Sequence, residues 1–274
     1  MERIKLIALD MDGTLLLSDH STVPERNILA IQAAHRHGIH VCICTGRMLE
    51  DASEFCRRLD LPCKVIACNG TRAADGILPN AHVFLKHQFE PKDAQAALDI
   101  LFSTDVMVNV FEDGLVSTRM GPLNEPYHLV KRGVLPAEYG EEAVRKAADR
   151  GVMKIFAICT DEQTHLRAEL MERIRKKLPH LMITSSGPRN IEIMPPHAGK
   201  GTALRAMAEY FGLSREQVMA VGDADNDLSM LKFALHSVAM GNASDDIKAA
   251  CRYITASNDD CGVAQIIEQV LEVK

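Results

Sequence analysis

Short apolar runs that each end at a polar residue constrain this chain most. Near its start they are Ile4 to Leu9 (broken by Lys5), HVCIC at 40–44 and KVIAC at 64–68. Near its end they are VMAV at 218–221, SVAM at 237–240 and YIT at 253–255. Helical spacing fills the intervals. One helix is expected from Pro24 to His37, with Thr22 and Glu25 at capping-box spacing, Pro24 in the first turn and Gly38 as the stop. A second runs to Leu59. A third, Lys200 to Phe211, puts Leu204, Met207 and Phe211 on one face and ends at Gly212. Strands alternating with helices fold as a parallel sheet covered on both faces, so the expected class is α/β with a doubly wound, Rossmann-like core.

The middle of the chain breaks this rhythm. MVNVFEDGLVSTRM (107–120) has the pattern of a hairpin around Asp113-Gly114. VMKIFAIC (152–159) is a strand pattern before a long helix at 164–178, and MITSSGPRNIEIM (182–194) turns at Ser186-Gly187-Pro188. Hairpins beside helices describe an α+β domain inserted at 84–195, with 1–83 and 196–274 forming the core. A length of 274 residues accommodates one or two domains.

Composition removes several functions. A net charge of -6, no Trp and 4% aromatic residues argue against nucleic-acid binding, which uses basic patches and stacking rings. The eight cysteines include no C-x-x-C pair, so reduced thiols in a cytoplasmic protein are expected, with Cys42 and Cys44 as buried strand thiols. The first apolar run stops at Asp10, too short for a signal peptide, and no run of apolar residues is long enough to span a membrane. No obligate protein partner is evident.

The polar residues at the run ends form their own pattern. Asp10, Thr45, Asn69 and Asp223 each follow an apolar run, directly or nearly so. In an open parallel sheet, ligands sit beyond the carboxyl ends of the strands, so these residues would converge on one rim. Asp10 and Asp12 stand two apart, and alternate positions of an extended chain face the same side. Two like charges that close cost about 1 kcal/mol even in bulk water. The plain alternative is that strands simply end in polar turns.

Competing motifs fail residue by residue. Asp223, Asp225 and Asp227 imitate the start of a calcium loop, but Leu228 stands where Gly is needed and Ala234 where Glu is needed. Gly199-Lys200 imitates a P-loop, but Met194 replaces its first Gly and Gly201 its Ser or Thr. His35, His37 and His40 do not share a helix face, and cations near a helix end need no metal.

Taken in order, DMDGTL (10–15), Thr45-Gly46-Arg47, Lys200 and GDADND (222–227) resemble the four motifs of the haloacid dehalogenase superfamily of phosphatases. The likeness is to the Cof-type branch, whose α/β cap is inserted after the second motif. The resemblance implies Mg²⁺-dependent hydrolysis of a small-molecule phosphate monoester, a sugar phosphate or related metabolite, through an aspartyl-phosphate. Asp10 would be the nucleophile and Asp12 the general acid and base, with Thr45 and Lys200 completing the catalytic set. Gly13, Thr45, Gly46, Lys200 and Asn226 would hold the phosphate, Asn226 by orienting Lys200 or by direct contact. The metal would take Asp10, Asp223 and the Asp12 carbonyl directly, and Asp227 mainly through water.

Neighbouring residues receive plainer roles. Arg47 is expected to be a solvated first-turn cation, Asp225 a surface residue and Asn242 a turn residue after Gly241. Asn69 either caps the turn at Gly70 or holds the loop of Asp10. Two other classes remain open: a phosphosugar mutase of the same fold, and a non-catalytic phosphometabolite sensor, against which the intact Asp10–Asp12 pair weighs. A time course separating free phosphate from isomerised sugar distinguishes the mutase. No residue of the insert is recognisable as a specificity determinant.

Overall fold

The computed structural model of the chain describes residues 4–121 and 136–272. Two compact units emerge, Met1–Lys86 with Gly199–Lys274, and His87–Ala198. Strands β1 (Leu6–Asp10), β2 (His40–Cys44), β3 (Cys63–Ala67), β4 (Arg72–Asp75) and β5 (His82–Lys86) precede the insert. Within it lie β6 (Met107–Phe111), β7 (Val116–Arg119), β8 (Glu138–Tyr139), β9 (Lys154–Ile158), β10 (Met182–Thr184) and β11 (Asn190–Met194). The chain then returns with β12 (Val218–Gly222), β13 (His236–Ala239) and β14 (Tyr253–Ile254).

The first unit is an α/β fold around a sheet of order β14-β13-β12-β1-β2-β3-β4-β5. Neighbours from β14 to β3 pair in parallel, while β4 and β5 add an antiparallel extension. Every residue of β1 is buried, which is why its sequence is nearly continuous in apolar residues. Period-2 alternation splits that run between two cores. Ile7 and Leu9 pack in the cluster that includes Ile31 of helix Glu25–Arg36 and Ile267 of helix Gly262–Glu272. Leu6 and Ala8 pack in the cluster that includes Leu204 and Met207 of helix Lys200–Tyr210.

Local details depart from the expectations. The capping box before the first helix does not form, because Thr22 Oγ1 donates to Asp19 Oδ2 at 2.6 Å and Pro24 occupies the N-cap. The β4–β5 extension had no clear signal, since RAAD is too short and too poor in β-branched residues to stand out. The crossings between units fall at Lys86/His87 and Ala198/Gly199, against the expected 83/84 and 195/196. At the first, β5 runs on to pair Lys86 with Arg72.

The inserted unit is α+β. Its sheet has the order β10-β11-β9-β6-β7-β8, with β6–β7 and β10–β11 as antiparallel neighbours at the two places where hairpin patterns occur. Val108, Ile155 and Ile191 alternate toward one face and pack with Leu98, Val144 and Leu170 of helices Pro91–Leu101, Glu141–Ala148 and Thr164–Lys177. Among the described residues, no helix is long and apolar enough to cross a membrane.

Candidate active site

Asp10 is the last residue of the central strand β1, and the chain leaves it through an irregular turn, Met11–Leu15. Gly13 has φ 90° there, a left-handed conformation that side chains other than glycine adopt at a cost. Space imposes the same choice, since a Cβ on Gly13 would lie 2.4 Å from Asp223 Oδ2. The turn is tied to its neighbours by Thr14 Oγ1, which donates to Asp223 Oδ1 at 2.7 Å, and by Asn242 Nδ2, which donates to Gly13 O at 2.8 Å.

Lys200 opens its helix and is 1% exposed. Its Nζ donates to Asp10 Oδ1 at 2.5 Å and to Asp227 Oδ1 at 2.6 Å. The other oxygen of Asp227 accepts from the backbone N–H groups of Asp223 and Ala224, at 3.0 and 3.1 Å. Both Asp227 oxygens are therefore committed to holding the lysine and the loop. Burial alone would lower the Lys200 pKa, but the charges of Asp10 and Asp227 outweigh it and hold the amine protonated. Asp10 is pushed well above the usual carboxylate range by burial and by the charge of Asp227, with Lys200 opposing. Asp223 is pushed up to about 6, again by burial first and Asp227 second.

These shifts describe a place short of positive charge. Asp10, Asp223 and Asp227 each offer a carboxylate oxygen within 4.8 Å of the others. An oxygen-only donor set of this kind fits a hard divalent cation. All three could hold such an ion, although both Asp227 oxygens already accept hydrogen bonds from Lys200 and the backbone.

The second rim segment follows β2. Thr45 Oγ1 accepts from Arg47 N at 3.1 Å, which leaves the hydroxyl proton available to a phosphate oxygen. Thr45 O accepts from Asn69 N at 3.0 Å, and a Cβ on Gly46 would lie 3.1 Å from Asn69 Oδ1. Asn69, buried in a left-handed turn, accepts from Asn226 Nδ2 at 3.4 Å. Asn226 thus contacts Asn69, and the partner that orients Lys200 is Asp227. Asp225 is exposed, as expected of a surface residue.

Arg47 corrects its sequence reading. It is not a solvated cation: its side chain is 11% exposed and grips both oxygens of Asp12, Nη2 to Oδ1 at 2.6 Å and Nε to Oδ2 at 3.1 Å. Thr14 was missed outright. For Arg47 the Thr-Gly-Arg triplet was the available signal, and for Thr14 its place inside the first motif.

Gly201 explains why the Lys200 helix lacks a P-loop hydroxyl. A Cβ there would meet Ser229 O at 2.3 Å, so this helix and Leu228–Phe233 touch through the bare glycine. Gly201→Ala should force them apart, lowering stability by about 1–3 kcal/mol and misplacing Lys200 against Asp227. Denaturant unfolding and turnover, measured on the same sample, check this; an active variant of normal stability would contradict it.

Residues 7–267 match the family profile described as haloacid dehalogenase-like hydrolase. The chain is 32% identical over 292 residues to a 5-amino-6-(5-phospho-D-ribitylamino)uracil phosphatase of Bacillus subtilis, covering 98% of each. It is 29% identical over 246 residues to the HMP-PP phosphatase of Cronobacter sakazakii, covering 89% of this chain and 87% of that protein. A solved haloacid dehalogenase-like hydrolase from B. subtilis superimposes with a TM-score of 0.80 at 29% identity, over 97% of this chain and 99% of the other.

Proposed function

We propose, proceeding from the fact that this chain belongs to the haloacid dehalogenase-like hydrolase family, that it hydrolyses small phosphate monoesters through a phosphoryl group carried on Asp10, with Mg²⁺ as cofactor. The protein is a phosphatase of small phosphorylated metabolites. The observation that carries the finer reading is Lys200 held between Asp10 and Asp227, with Asp223 completing the acidic cluster. Relatives named for a phospho-D-ribityl substrate support a phosphorylated sugar or sugar alcohol as the substrate class.

The uncatalysed reaction is so slow that accelerations of up to about 10²¹-fold are required. A carboxylate nucleophile divides it into two steps. Lys200 holds Oδ1 of Asp10, so Oδ2 attacks phosphorus; the new O–P bond forms as the bond to the leaving oxygen breaks. Asp12 gives that oxygen a proton, then takes one from the water that cleaves the phosphoryl-enzyme, restoring Asp10. Thr45 and the backbone N–H groups around Gly13 donate to the phosphoryl oxygens. Mg²⁺, when bound through Asp10, Asp223 and the Asp12 carbonyl, supplies positive charge against the negative oxygens of the transferring group. In this reading the insert is the cap that selects the leaving group.

Two measurements test the metal assignment. Chelation should abolish phosphate release from a panel of sugar phosphates, and Mg²⁺ should restore it better than Ca²⁺, which accepts looser, higher coordination. Asp223→Ala should raise the Mg²⁺ requirement by about 10- to 100-fold or abolish turnover, whereas exposed Asp225→Ala should change little. The reverse ranking of these variants would overturn the ligand assignment.

A further inference from the structure

We propose that Arg47 is a positioning residue that keeps the Asp12 carboxylate out of the cation site and places it for proton transfer. This deepens the function proposed above and rests on its assignment of Asp12 to acid–base work. Asp12 follows Asp10 by two residues, inside the turn that wraps the acidic cluster. Its side chain is therefore on a short tether from a site built to hold a divalent ion. Even so, the carboxylates that converge within 4.8 Å are those of Asp10, Asp223 and Asp227, and Asp12 is not among them.

Its carboxylate is held by the Arg47 guanidinium instead. The fork of Arg47 meets both Asp12 oxygens, at 2.6 and 3.1 Å, and such bidentate pairing fixes orientation as well as distance. The clamp is itself anchored. Arg47 N donates to Thr45 Oγ1 at 3.1 Å, Arg47 O accepts from Cys68 N at 2.8 Å, and Nη2 also reaches His20 O at 3.4 Å. His20 Nδ1 stands 3.9 Å from Asp12 Oδ1 on the solvent side. Hard divalent ions take carboxylate oxygens wherever these reach them. A carboxylate drawn into that shell would spend its lone pairs on the ion and lose its place beside the leaving oxygen. Segregating two acids that are two residues apart needs a device, and the guanidinium fork is one.

The test uses the full-length protein freed of metal by chelation and titrated with Mg²⁺ and Ca²⁺ by calorimetry, a readout that needs no turnover. Arg47→Gln should bind the cation about tenfold more tightly, with kcat lowered about 100-fold and KM little changed. Loss of a positive charge would by itself tighten binding through space, so two controls separate the causes. Arg47→Lys keeps the charge and loses the fork, and should also tighten binding and lower kcat. Adding Asp12→Asn to either variant should cancel the tightening, because the captured carboxylate is gone. Unchanged affinity in a folded Arg47→Lys, or tightening that survives Asp12→Asn, would overturn the proposal. Failure of the wild type to bind either cation would instead overturn the metal reading beneath it.

Discussion

Asp10→Asn should lower kcat by more than about 10³-fold while the protein stays folded. The amide matches the carboxylate in shape but is a poor nucleophile. The substitution also removes a buried charge that is already disfavoured by burial and by Asp227. Lys200 loses one of two charged partners and keeps Asp227. These changes oppose each other, so the fold should persist as the chemistry stops. Phosphate release from the panel of sugar phosphates measures the first half, and circular dichroism with thermal melting the second. Substantial turnover in a folded Asp10→Asn protein would remove Asp10 from the mechanism.

Lys200→Met should damage stability and activity together. It leaves Asp10 and Asp227 buried without the amine between them, and breaking a buried ion pair costs about 3–5 kcal/mol. The pH dependence has a definite sign. In the wild type, the Lys200 pKa is raised in the folded state, since Asp10 and Asp227 overcome the burial that would lower it. Its contribution is complete at every pH below the ordinary lysine range and does not vary between pH 5 and 8. In the variant, the lost cation leaves the folded-state pKa of Asp10 further above its unfolded value. A carboxyl raised in this way binds more protons folded than unfolded, so stability falls as pH rises through that window. Denaturant unfolding of the metal-free variant should show a large deficit at pH 8 that shrinks toward pH 5. An equal deficit at both would mean that packing, and not charge, is what Lys200 contributes. Added Mg²⁺ should recover part of the loss at pH 8 by replacing the missing positive charge.

The sequence carried the scaffold well, for a physical reason. Strands buried on both faces, such as β1 and β12, must be apolar throughout, and the first polar residue after each run marks where the strand meets solvent or a ligand. Asp10, Thr45, Asn69 and Asp223 stand out in that way. Less legible were residues whose roles depend on side-chain reach. Arg47 sits just before a helix, where a basic residue is usually solvated, and only the folded chain brings it to Asp12, 35 positions away. Thr14 holds Asp223 across 209 positions, a pairing that no local pattern encodes. Asp227 was recognisable as an acid of the cluster. That both its oxygens are already taken, by Lys200 and by two backbone N–H groups, follows from the three-dimensional turn alone. The missing capping box makes the same point in reverse: spacing allowed it, but Asp19 offered Thr22 a nearer partner.

The central claim is that a phosphoryl group passes through Asp10, and trapping it is the most direct test. Wild-type protein mixed with Mg²⁺ and a phosphorylated sugar that it turns over should be quenched in acid within the first turnover, digested, and mapped by mass spectrometry. A phosphoryl adduct is expected on the peptide containing Asp10, fragmenting to that residue, and absent from Asp10→Asn. An adduct on a serine, histidine or cysteine, or none under conditions where single-turnover phosphate release is complete, would contradict it.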